Sequence, residues 1–133
     1  VTDSSIVSKA GGGNGYSITM NNSAVGGAGK IGLSLGSNFV NYNLSSLSNG
    51  WHHFVGTYDG KVLRFYVDGV NVSYSSLGAK TTIPYTFTNS LILGAEAGSG
   101  TTPSGQYFNG SIDDVRVYDY TLSSVDVSTL FGL

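Results

Sequence analysis

Two Asp-Gly pairs, Asp59-Gly60 and Asp68-Gly69, bracket the alternating run at residues 62–68, and this constrains the fold more than any other feature. Within the run, Leu63, Phe65 and Val67 point to one face, and Val62, Arg64 and Tyr66 to the other, because successive side chains of a strand alternate. An Asp-Gly pair between apolar runs is a hairpin signal: tight hairpin turns need positive φ, which glycine adopts without steric cost. Residues 51–58 and 70–75 read as the flanking strands. An antiparallel meander is predicted.

The rest of the chain repeats this texture. Residues 5–9, 15–20, 31–35, 39–42, 91–93 and 111–119 read as strands, separated by glycine-containing turns and by a long small-residue loop at 94–106. In 111–119, Asp113, Val115 and Val117 share one face and Ile112, Asp114, Arg116 and Tyr118 the other. Residues 122–131 can form one or two helical turns, capped by Ser123 or Ser124. Twenty glycines and recurrent Val, Ile, Tyr and Phe suit short strands and tight turns rather than helices. The expected fold is all-β: one antiparallel two-sheet sandwich of jelly-roll type over residues 1–133. Its layers are expected to close over Trp51, Phe65, Val67, Val115 and Val117.

Charge and composition exclude several function classes. The net charge is −2, and the six basic residues are scattered, so no cationic patch exists for nucleic acid. No apolar run approaches the ~20 residues that span a bilayer. Cysteine is absent, which removes disulfides and thiolate metal sites. A Ser-, Thr- and Asn-rich, lysine-poor surface leads us to expect an extracellular or cell-surface location.

Several segments in order resemble the laminin-G-like and pentraxin-related branch of the concanavalin A-like superfamily. They are Ile6-Val7-Ser8-Lys9 leading to Gly15-Tyr16-Ser17-Ile18; Gly50-Trp51-His52-His53-Phe54-Val55-Gly56-Thr57-Tyr58-Asp59-Gly60; Leu63-Arg64-Phe65-Tyr66-Val67-Asp68-Gly69; Leu91-Ile92-Leu93-Gly94; and Phe108-Asn109-Gly110-Ser111-Ile112-Asp113-Asp114-Val115-Arg116-Val117-Tyr118. The resemblance begins partway into the family pattern, so the usual opening strands are expected to be missing or supplied elsewhere. Without them a sandwich leaves backbone N–H and C=O groups unpaired.

Sandwiches of this kind that hydrolyse glycosides need two carboxylates roughly 5–9 Å apart. The chain has a single glutamate, Glu96, and adjacent Asp113 and Asp114 point to opposite faces of a strand. His52 and His53 likewise diverge and cannot chelate one ion together. No catalytic residue and no enzyme activity are expected. Among pentraxin-like relatives, calcium is held by the loop after the Leu-Gly strand, and the resemblance aligns Glu96 and the Ala97 carbonyl with its first ligands. The next acidic position is Gly98, so calcium, which wants six to eight oxygens, is expected to bind weakly there or not at all. No other cofactor is expected.

The resemblance implies a non-catalytic extracellular binding or adhesion module, with a glycan or another surface protein as partner. Tyr16, Tyr42, Tyr85, Gln106, Tyr107 and Asn109 lie in or beside long loops and are the candidate ligand-binding residues, since rings stack on sugars and amides bond their hydroxyls. The alternative is a structural subunit of a surface filament or assembly, as a homo-oligomer or with a strand-donating neighbour completing the sandwich. Asn21-Asn22-Ser23, Asn43-Leu44-Ser45, Asn71-Val72-Ser73 and Asn109-Gly110-Ser111 are glycosylation sequons.

Overall fold

The computed structural model describes residues 2–11, 14–79, 82–83, 89–97 and 102–133. Ten strands are described: β1 (Ser4–Gly11), β2 (Asn14–Met20), β3 (Lys30–Leu35), β4 (Asn38–Asn43), β5 (Phe54–Tyr58), β6 (Val62–Val67), β7 (Val70–Ser76), β8 (Ile92–Leu93), β9 (Glu96–Ala97) and β10 (Pro103–Gly105). One α-helix, α1 (Ser124–Phe131), follows. The strands form a five-stranded sheet of order β4-β3-β2-β1-β8, a three-stranded sheet β5-β6-β7 and a small β9-β10 pair. Every pairing is antiparallel. This is the predicted all-β sandwich.

The meander lies where the Asp-Gly pairs put it. Asp68 and Gly69 have φ of 50° and 79°, both positive, as a two-residue hairpin turn requires. Asp59 instead uses its side chain: Oδ1 accepts from the N–H groups of Lys61 (2.9 Å) and Val62 (2.7 Å), holding the turn into β6.

The core follows from the alternation. Ile31, Leu33, Leu35 and Val40 of the larger sheet face Leu63, Phe65 and Val67 of the smaller one, and all are buried. Phe54 stacks on Phe65 with ring planes 3° apart and centroids at 6.0 Å. Gly56 of β5 is what lets the sheets close: a Cβ built there would sit 2.7 Å from Leu33 Cδ2. Tyr66 points the other way yet is also buried, because α1 covers that face and forms a second cluster of Tyr66, Leu122 and Val127. The helix begins with a reciprocal cap, in which Ser123 bonds the Asp126 N–H and Asp126 bonds back to the Ser123 N–H. Of the two serines foreseen as caps, Ser123 is the one used.

Three expectations of the core differ. Trp51 lies in the connection before β5 and is 69% exposed. Val115 and Val117 are 38% and 61% exposed, because residues 111–119 form no ladder with any strand among the described residues. Asp114 breaks that stretch with φ of 51°, a left-handed conformation that disfavours a side chain. Arg116 curls back to bond both of its carboxylate oxygens at 2.8 and 2.9 Å.

Candidate functional site

The larger sheet has a second face, turned away from the core, and its residues are small and hydroxylated. In the ladder Ser17 lies opposite Ser34, and Thr19 opposite both Gly32 and Ser5. Each of these positions alternates with a core residue (Ile18 with Ser17 and Thr19, Leu33 and Leu35 with Ser34), so the same periodicity that builds the interior lays down a row of hydroxyls behind it. Ser5, Ser8, Ser17, Thr19 and Ser34 are all buried. Gly32 allows the closest approach of β4, since a Cβ there would sit 2.1 Å from the Val40 carbonyl oxygen.

These hydroxyls satisfy one another. Ser17 and Ser34 Oγ are 2.8 Å apart, and Thr19 Oγ1 donates to the Ser4 carbonyl at 2.8 Å. Ser5 Oγ lies 3.3 Å from Thr19 Oγ1 and 3.2 Å from Gln106 Oε1. Ser8 Oγ accepts from the Ala97 N–H at 3.2 Å, tying the sheet to β9. Two elements rise on either side of the row. One is the turn around Ser23–Val25, whose Val25 carbonyl accepts from Asn41 Nδ2 at 2.8 Å. The other is the β9-β10 pair with Gln106, which has φ of 51° and whose carbonyl accepts from the Ser5 N–H at 2.8 Å. Between them is a cleft of about 100 Å³, with Ser17, Thr19 and Ser34 in its floor and Asn22, Glu96 and Gln106 in its walls.

The candidate residues fall in different places. Gln106 and Glu96 line the cleft. Tyr107 follows Gln106 and is 67% exposed, and Asn109 is exposed nearby in sequence. Tyr16 and Tyr42 are half-buried against the core cluster, on the opposite face of the sheet from the cleft. Tyr85 lies outside the described residues. The hydroxyl row was not legible as a site, because Ser and Thr alternating with apolar residues read as a solvent face; the signal was the same small-polar alternation in two consecutive strands. Phe39, paired with Ser34, is an exposed aromatic on the cleft side of the sheet that sequence reasoning also missed.

The Glu96 carboxylate has Ser104 Oγ at 3.5 Å, Ala97 is buried, and among the described residues no three acidic, histidine or cysteine side chains converge. Calcium needs far more oxygen and charge than one carboxylate supplies.

A second constellation lies at the start of β5. His52 Nδ1 is 2.8 Å from Asp68 Oδ2, and its Nε2 is 2.9 Å from the Ser48 carbonyl and 3.5 Å from Ser48 Oγ. The order Ser-His-Asp invites a catalytic interpretation, but the bonding opposes it. Both ring nitrogens face acceptors, which favours the protonated ring: the Ser48 carbonyl first, and the Asp68 carboxylate second, raise its pKa above the ordinary histidine value. The Nε2 that would have to take a serine proton is turned to the Ser48 carbonyl at 2.9 Å, with the Ser48 hydroxyl farther away at 3.5 Å. Burial works to raise the Asp68 pKa, but the His53 N–H and the His52 ring outweigh it and the net shift is downward. The arrangement is a clamp joining the loop before β5 to the β6-β7 turn. His53 joins it through its backbone N–H, which donates to Asp68 Oδ1 at 2.9 Å, while its ring stacks on Phe131 with centroids 6.0 Å apart.

Comparison with known proteins accords with this architecture. The chain is similar to a solved S-layer domain-containing protein (residues 221–444) from Clostridium thermocellum ATCC 27405, at 27% identity and a TM-score of 0.51, over 87% of this chain and 55% of that one. The match thus spans little more than half of the solved relative. A search of curated proteins finds no significant match. Among the described residues, no helix is long and apolar enough to cross a membrane. The model of the Laminin_G_3 family matches residues 1–128, nearly the whole chain, and on that ground the protein belongs to the concanavalin A-like lectin/glucanases superfamily.

Proposed function

We propose that this protein is a non-catalytic, extracellular binding module that holds one edge of a saccharide in the hydroxyl-floored cleft. The observation that carries this is the row Ser5, Ser17, Thr19 and Ser34, buried between walls that hold Glu96, Gln106 and Asn22. Hydroxyls both donate and accept, as sugar hydroxyls do, so such a surface matches a polyol without a buried unpaired charge. A cleft of about 100 Å³ is well below the ~300–1,000 Å³ of sites that enclose a whole ligand, which suits one ring edge and not an enclosed oligosaccharide. Tyr107, exposed and next to Gln106, is the side chain suited to stack on a protruding ring. Titration of neutral and acidic oligosaccharides by NMR, with and without calcium, tests this. Binding should weaken about tenfold or more in Ser34→Val and Gln106→Ala, in line with ~1.4 kcal/mol for lost bonds to a buried site. Absence of binding across the panel, or binding indifferent to both substitutions, overturns it.

A second reading, as a structural subunit of a surface assembly, is favoured by one specific observation: among the described residues, 111–119 have β-type sequence and no ladder, while β5 is the edge of its sheet. Likeness to an S-layer domain-containing protein supports a surface setting. Electron microscopy of concentrated protein, alone and with its genomic neighbours, tests it; dispersed single particles under all conditions count against it.

A further inference from the structure

We infer that the hydroxyl-floored cleft selects saccharides that carry a free amine, holding the ammonium on the Glu96 carboxylate and turning uronic acids away. This rests on the saccharide-binding reading and names the class of sugar. Three observations carry it. Glu96 is the one charged side chain among the described residues that line the cleft; the others are hydroxyls, amides and small apolar groups. Its carboxylate has no cationic partner among the described residues. Their ion pairs join His52 to Asp68, Arg64 to Asp59 and Arg116 to Asp114, while Lys9 turns to the Asn89 carbonyl at 2.7 Å and Lys30 to Asn43 Oδ1 at 2.6 Å. Ser104 Oγ, at 3.5 Å, stands at the outer limit of a hydrogen bond, so the carboxylate keeps most of its accepting capacity. Finally, its backbone is tied to the floor on both sides. The next N–H, that of Ala97, donates to Ser8 Oγ at 3.2 Å, and Glu96 pairs across β9-β10 with Gly105, whose neighbour Gln106 accepts from the Ser5 N–H.

The chemistry selects the amine. An ionised carboxylate accepts hydrogen bonds and donates none. A sugar hydroxyl offers it one donor, whereas an ammonium offers three together with the opposite charge, and charge-assisted bonds are roughly twice as strong as neutral ones. N-acetylation takes the charge away. A uronic acid brings a second carboxylate to a wall that holds no cation, and like charges so placed cost affinity. The net charge of −2 acts in the same sense on approach. Glu96 is half-buried and not enclosed, so water screens the pair and the preference is modest.

The test uses the whole chain and monosaccharides, the size one ring edge requires: glucose, galactose and mannose, each beside its 2-amino, N-acetylamino and uronic acid forms, titrated by NMR in low salt at about pH 6, where the amine is protonated. Glu96 is the single glutamate, so its carboxyl carbon gives one resonance of its residue type and reports contact directly. For the ring that fits, the amino sugar should bind about three- to fivefold more tightly than the neutral parent and shift that resonance, as one partly exposed ion pair allows. The N-acetyl form should show no such gain, and the uronic acid should bind more weakly than the parent. In Glu96→Gln the ratio of amino to neutral sugar should fall to about one, and raising the salt should shrink it in the wild type. A ratio is read in each protein, so an overall loss of affinity in the variant does not obscure it. Neutral and amino sugars binding equally, or a preference that survives Glu96→Gln, overturns this inference and leaves the saccharide reading standing. Absence of binding by every sugar overturns both.

Discussion

Gly56 offers the most direct test of how the two sheets meet. A Cβ at this position would lie 2.7 and 2.8 Å from the two Cδ atoms of Leu33 and 3.1 Å from its Cγ, all inside contact distance. Leu33 is buried, so Gly56→Ala must shift the leucine side chain within a packed core or push the sheets apart. Overpacking of this kind costs about 1–3 kcal/mol, and the gain from replacing a strand glycine returns roughly 0.5–1 kcal/mol. The expected net loss is about 0–2.5 kcal/mol, from a total of about 5–15 kcal/mol for a domain. Leu33→Ala alone should cost ~2–4 kcal/mol as a cavity. In the double variant the new methyl occupies space vacated by leucine, so the losses should fall short of their sum by at least ~1 kcal/mol. Urea unfolding of the four proteins at one pH gives the cycle directly. Strict additivity of the two substitutions, or a stabilised Gly56→Ala, would refute the claim that this glycine sets the sheet separation.

Three further outcomes are expected. The His52–Asp68 clamp makes stability depend on pH at both ends: the raised His52 pKa gives a contribution fully present below about 6.5 and lost as pH rises through the folded value, while the lowered Asp68 pKa gives one present above about 3.8 and lost as pH falls through its folded value. His52→Gln should therefore destabilise by about 1 kcal/mol at pH 5.5 and by less at pH 8.5, read from melting curves; a pH-independent gap would contradict it. Asp59, held first by the Arg64 guanidinium and then by the Val62 and Lys61 N–H groups, should titrate near 2 by carboxyl NMR and move back toward 3.8 in Arg64→Ala. Ser123→Ala removes the helix cap and should cost about 1 kcal/mol, unless α1 is fixed wholly by Val127 and Leu122.

The parts of the fold that were legible in the sequence are those determined locally. Asp68-Gly69 dictates a turn by backbone sterics alone, and the flanking alternation then fixes the facing of Leu63, Phe65 and Val67. Residues 111–119 carry an equally good strand pattern, but a strand exists only with a partner, and propensity contains no information about one. Trp51 failed for a related reason: its size argues for burial, while its position in a connection before β5 leaves it nothing to be buried against. The cleft was least visible, because Ser17 and Ser34 become neighbours only through the register of β2 with β3.

The Ser17–Ser34 contact has a consequence for selectivity. At 2.8 Å either oxygen can supply the proton, so the pair has two orientations of similar energy that differ only by rotation of the O–H bonds. Turning both rotors exchanges the donor for the acceptor without moving a heavy atom. Under the proposed saccharide-binding reading, the groove would thus reverse its polarity to suit an arriving molecule, which favours tolerance among stereoisomers over strict discrimination.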